Sequence, residues 1–181
     1  MKYDISALGN ALVDTQYMVD HDFLDEIGLE ADSMTLASAE EHSPIIDKLE
    51  SMGVESVSDC GGSATNSLVA ASYYGSKCHH VCRVANDEDG KKYLESLQKA
   101  GVQHIGYSKE DSEMPTGKCL IFVTPDAKRT MSSMLGISAY LGSKDINYDA
   151  INNSKIFYIE GYMVTSCLLY TSDAADDIRC V

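Results

Sequence analysis

Between Cys78 and Ser108 the hydrophobic period of the sequence changes twice. "CHHVCRV" (78–84) is a short, largely apolar run of strand length. "NDEDGKKYLESLQKAGV" follows, with Tyr93, Leu94, Leu97 and Ala100 on one helical face. Asp87, Glu88 and Asp89 sit at the positive end of that helix, and Gly101 is its stop. "VQHIGYS" (102–108) is strand-like again. A strand, a helix and a strand in that order predict a βαβ unit with two parallel strands.

The same grammar extends to both sides. "YDISALG" (3–9) predicts a buried strand with a glycine exit, and "LVDTQYMV" (12–19) alternates as a half-exposed one. "SAEEHSPIIDKLESMG" (38–53) predicts a helix with Ser38 as N-cap, Glu41 three residues on, and Pro44 delaying the start. "DCGGSATNSLVAASYYG" (59–75) runs from two glycines into a helix that ends at Gly75. "GKCLIFVTPDAKRTMSSMLG" (117–136) reads as a hairpin turning at Pro125–Asp126, and "KIFYIEGYM" (155–163) as a last strand. The whole is an α/β pattern around a largely parallel sheet.

Composition removes several function classes. A net charge of −14 argues against a sequence-independent grip on nucleic acid or on an anionic membrane. No apolar run approaches the roughly 18 residues of a membrane span, and the start "MKYDISALGNALVD" lacks a signal-peptide layout. Six cysteines in 181 residues of mixed α/β pattern read as reduced thiols, so a cytoplasmic location is expected.

The glycine turn has the form of an anion cradle, since free N–H groups open the helix after it. It lacks the matching chemistry. "CGGSATNS" has no lysine, and "SEMPTGKC" has Ser112 and Cys119 where a P-loop needs glycine and a hydroxyl. Neither "ALGNALVD" nor "CGGSATNS" fits the dinucleotide fingerprint. What remains is two polar turns, each close to a strand. "GNALVD" offers Asn10 and Asp14, an amide and a carboxylate suited to a vicinal diol. "GGSATNS" offers backbone N–H groups, Ser63 and Asn66 beside glycines that admit a ligand. The alternative stays open here: a solvated Asp14, with Ser63 and Asn66 as helix caps.

Taken in order, "YDISALGNALVD", "CGGSATNSLVAASYYG", "CRVANDEDGKKYLESLQKAGV", "PTGKCLIFVTPDAKRTM" and "FYIEGYM" resemble the amino-terminal half of a PfkB-type, ribokinase-like carbohydrate and nucleoside kinase. The two polar turns are closest to its adenosine-kinase-like branch. The resemblance implies an incomplete ribokinase-like βαβ sandwich with a small β-strand lid, formed near 12–19 and 117–135. It implies a small-molecule nucleoside or sugar as partner, ATP and magnesium as cofactors, and a homodimer paired through the lid. Asn10, Asp14, Gly62, Ser63 and Asn66 would bind substrate, and Arg129 would meet the transferring phosphoryl group; a solvated hairpin arginine is the alternative for Arg129. The family's catalytic aspartate follows a glycine-rich helix start, and no Gly-x-Gly-Asp occurs in residues 1–181. The chain by itself is therefore expected to be inactive.

Two short runs look like metal motifs. In "CHHVC", Cys78, His80 and Cys82 face one side of a strand and His79 the other, and "ANDEDG" has Ala85 and Ser96 at its first and twelfth calcium positions. No metal ligands are assigned in this chain. The tail "CLLYTSDAADDIRCV" (167–181) resembles a translated sequencing adapter, so residues 1–166 are taken as the kinase part, and the natural protein is expected to continue further. Two rival functions stand beside the nucleoside kinase: a ribokinase- or fructokinase-like sugar kinase, and a non-catalytic substrate-binding module.

Overall fold

The structure is a computed structural model that describes residues 2–104, 106 and 113–163. Its elements run β1 (Tyr3–Leu8), β2 (Leu12–Met18), α1 (His21–Glu26), β3 (Met34–Leu36), α2 (Ala39–Ser51), β4 (Ser56–Gly61), α3 (Ser63–Tyr73) and β5 (Cys78–Val81). They continue with α4 (Glu88–Lys99), β6 (Gln103–His104), β7 (Gly117–Val123), β8 (Arg129–Met134), α5 (Tyr148–Asn152) and β9 (Ser154–Ile159). Two short 3-10 turns lie between β8 and α5.

The strands form two sheets. The first has the order β6-β5-β1-β9 and is parallel throughout, as the βαβ pattern requires. Helix α3 packs on β1 and β5, and α4 packs on β2, β4 and β6. Ala64 and Leu68 of α3 and Tyr93, Leu94 and Leu97 of α4 share a buried cluster with Ala7 and Cys78. The predicted face of α4 is thus the buried one. The outer edge of β9 is unpaired among the described residues, and Ile156, Phe157 and Ile159 on it are exposed.

The second sheet has the order β3-β8-β7-β2-β4 and mixes parallel with antiparallel pairs. The segments 12–19 and 117–135 supply its three central strands. Strand alternation divides its faces. Tyr17, Leu120 and Phe122 point to a small core with Phe23, Leu24 and Leu49 from α1 and α2. Asp14, Cys119, Arg129, Met131 and Ser133 line a cavity instead.

Some boundaries differ from expectation. Helix α2 starts at Ala39, not at Pro44, because the Ser38–Glu41 capping box closes its first turn, with Ser38 N–H donating to Glu41 at 2.7 Å. Pro44 is exposed, and so is Glu40, whose carbonyl loses its usual partner to the proline. Strand β5 stops at Val81 and β9 at Ile159, shorter than the apolar runs that announced them. Strand β6 covers only Gln103–His104, and Ile105, Tyr107 and Ser108 of its predicted run lie outside the described residues, as does the tail 167–181. Among the described residues, no helix is long and apolar enough to cross a membrane.

Candidate functional site

Three chain segments meet where the two sheets adjoin. The first is the turn between β1 and β2, which carries Asn10 and leads to Asp14, the third residue of β2. The second is the junction of β4 with α3. The third is the exit of β9, where Glu160 follows Ile159. Together with one face of the second sheet they enclose a cavity of about 440 Å³.

The junction of β4 and α3 needs its two glycines for different reasons. Asp14 pairs with Asp59 across β2 and β4, which puts Gly61 diagonally beneath the Asp14 carboxyl group. A methyl group on Gly61 would overlap that carboxyl. Gly62 is the N-cap residue of α3 with φ +99°, and a methyl group on it would overlap the Asn10 carbonyl oxygen. The turn between β1 and β2 therefore lies directly on the start of α3.

The polar groups of the cavity fall into two sets. Asp14 and the Asn10 carboxamide have no hydrogen-bond partner among the described residues, although Asn10 is only 4% exposed. Burial pushes the Asp14 carboxyl up to about 6, opposed by the attraction of Arg129 and helped by repulsion from Asp59. Glu160, in contrast, accepts from three donors. Its Oε1 accepts the Asn10 N–H at 2.6 Å, and its Oε2 accepts the Ser63 hydroxyl at 2.7 Å and the Ala64 N–H at 3.0 Å. Neither Ser63 nor Asn66 caps α3: Ser63 is its first residue, and Asn66 donates its N–H to the Gly62 carbonyl at 2.9 Å.

The opposite wall is apolar. Met34 and Leu36 of β3, Met131 of β8, Leu135 and Tyr162 line it, with Cys119 behind. Burial pushes the Cys119 thiol up to about 11, so it is a neutral wall group held near the Ser133 hydroxyl at 3.3 Å. Arg129, at the exposed start of β8, is the cation on the rim.

All six residues singled out from the sequence, Asn10, Asp14, Gly62, Ser63, Asn66 and Arg129, line this one cavity. Glu160 and the apolar wall were not among them. Glu160 carried one usable signal, an acidic residue closing the apolar run "FYIEGY". The histidines of "CHHVC" are placed away from this cavity: His79 and His80 are buried, with Thr65 3.4 Å from His80 Nε2.

The pattern of the pfkB family of carbohydrate kinases matches residues 34–179. The chain belongs to the pfkB family. Among curated proteins, this pfkB chain is similar to adenosine kinase 1 of Arabidopsis thaliana, 27% identical over 165 residues that cover 87% of the chain and 46% of the relative. It superposes on the adenosine kinase from Sinorhizobium meliloti with a TM-score of 0.78 and 31% identity, over 92% of this chain and 49% of that one. A probable sugar kinase from Rhizobium etli CFN 42 gives the same TM-score at 28% identity, over 91% and 48%. The chain spans about half the length of the curated adenosine kinases it matches. The α/β architecture of two sheets is thus the ribokinase-like fold of these kinases, present in part.

Proposed function

We propose that this chain is the substrate-binding part of a kinase that phosphorylates a primary hydroxyl of an adenosine-like nucleoside. The observation that carries the reading is Asp14: a half-buried carboxylate without a hydrogen-bond partner among the described residues, beside an Asn10 carboxamide that likewise has none there. A carboxylate accepts two hydroxyl hydrogens at once, which suits the vicinal diol of a ribose ring. The apolar wall of Met34, Leu36, Met131 and Tyr162 favours a ligand with a flat hydrophobic part over a bare sugar. The likeness to adenosine kinases supports the same choice. In this reading the second sheet is the lid, and its closure would exclude water from the substrate.

The described residues do not fit ATP with magnesium. Glu160 takes the Ala64 N–H and the Ser63 hydroxyl at the start of α3, and among the described residues that line the cavity Arg129 is the one cation, where a polyphosphate needs several. The phosphoryl donor, and the base that activates the hydroxyl, are assigned to the part of the family fold that the chain does not span. The exposed apolar edge of β9 supports that assignment, because it is a surface suited to burial under further chain.

Calorimetric titration of the chain with adenosine, ribose and fructose tests this function. Adenosine is expected to bind most tightly, while ATP turnover stays at background. Since the Asp14 carboxyl releases its proton near 6, affinity should rise about tenfold per pH unit below that value and level off above it. Tighter binding of a free sugar would favour the sugar-kinase reading, and binding of none of the three would overturn both.

A further inference from the structure

The glycine turn has the form of a phosphate cradle, yet a carboxylate of the chain itself already sits on it, accepting the Ala64 N–H and the Ser63 hydroxyl. Glu160 is 1% exposed, and its three partners, the Asn10 N–H, the Ala64 N–H and the Ser63 hydroxyl, are all donors. An acceptor-only group matches that environment, so the side chain serves as a carboxylate. Its position is where a helix N-terminus would otherwise attract an anion from solution. The same three bonds tie the exit of β9 to both substrate turns.

We propose that Glu160 is the resident anion of this turn, a positioning and specificity-determining residue. It holds Asn10 and Ser63 in place on the substrate wall. It also bars phosphorylated or carboxylated ligands from that wall, by taking the Ala64 N–H and the Ser63 hydroxyl and by presenting like charge at short range. The cavity is thereby selective for a neutral, hydroxyl-rich ligand. The proposal deepens the nucleoside reading and rests on it only for the identity of that ligand.

Removing the side chain should unmask the cradle. The probe is inorganic phosphate, set against sodium chloride at matched ionic strength and read by thermal melting. Wild-type chain is expected to show no phosphate-specific shift. Glu160→Ala should gain a rise of about 3–6 °C at roughly tenfold excess over its phosphate Kd, because two N–H groups and a hydroxyl have lost their acceptor. Its affinity for adenosine should fall about tenfold or more. A role confined to packing would lower the melting temperature without creating a response to phosphate.

Glu160→Gln keeps the shape and turns an NH₂ group toward a donor, so it serves if the alanine variant does not fold. It should lose about tenfold in adenosine affinity and let phosphate compete with adenosine, which wild type should not. An identical phosphate response in all three proteins would overturn the proposal. So would a glutamine variant that binds adenosine as wild type does and ignores phosphate. Failure of wild type to bind adenosine would instead strike the nucleoside reading, since the phosphate response of Glu160→Ala is read without substrate.

Discussion

Asp14→Asn is expected to lower adenosine affinity by about 10²–10⁴-fold and, at pH 7, to raise the melting temperature of the unliganded chain. The first effect follows from the loss of two hydrogen bonds to a charged acceptor, at about 1.5–3 kcal/mol each. Asparagine offers one oxygen, and its NH₂ would meet a hydroxyl in place of the second. The second effect follows from the carboxyl's raised value of about 6 against 3.8 in its ordinary state. The folded chain holds that proton more tightly than the unfolded chain, so the protonated form is the more stable. This contribution is fully present below about 3.8 and is lost as pH rises through 6, leaving wild type at pH 7 with an unfavourable buried charge. A neutral amide of the same size avoids that cost. Calorimetry and thermal melting on the same preparations separate the two. A variant that binds as wild type does removes Asp14 from the site, and one that melts lower at pH 7 shows that the carboxylate stabilises the fold.

This opposition between stability and binding is the physical sign of a site. A carboxylate kept for structure would be paired, as Asp87 is with Gly90 and Thr116, where hydrogen bonds hold its carboxyl below the usual range despite burial. Asp14 has the reverse signature, with burial dominant and no donor among the described residues. Nothing in "GNALVD" alone distinguishes these two outcomes. The difference lies in Gly61 and Asp59 on the neighbouring strand.

The elements legible in the sequence were those whose pattern is local. Helix α4 has its buried face, its acidic start and its glycine stop within one short run, and the β7–β8 hairpin has its turn at Pro125–Asp126. Strand β4, "SVSDCG", went unrecognised because it is an exposed edge strand without apolar alternation, and β3 has only three residues. The polar side of the cavity was legible for a similar reason, since Asn10, Asp14, Ser63 and Asn66 fall in two short stretches of sequence. The role of Glu160 was not, because the N–H it accepts from Asn10 lies 150 residues away in the chain. The turn looked like a cradle waiting for a ligand. Folding fills it from within.

Gly62→Ala is expected to be the most damaging single methyl group that can be added to this turn. Its φ of +99° is left-handed backbone that costs an alanine about 1–3 kcal/mol. The added carbon would also overlap the Asn10 carbonyl, a backbone atom with no rotamer to escape into. Gly75 makes the control: its φ of +90° is similar, but a methyl group there meets nothing within 4 Å. Gly75→Ala should therefore show a positive-φ cost without overlap, and Gly62→Ala, with ψ at 145°, a larger backbone cost together with the overlap, about 2–3 kcal/mol more in all. In thermal melting the difference corresponds to roughly 4–12 °C for a chain of this size. The overlap can be relieved by moving the Asn10 turn away from α3, which would also stretch the 2.6 Å bond from Asn10 N–H to Glu160. Adenosine affinity should then fall in Gly62→Ala and remain unchanged in Gly75→Ala. Equal melting temperatures for the two variants would mean that the turn does not lie against the helix start, and the site as described would lose its floor.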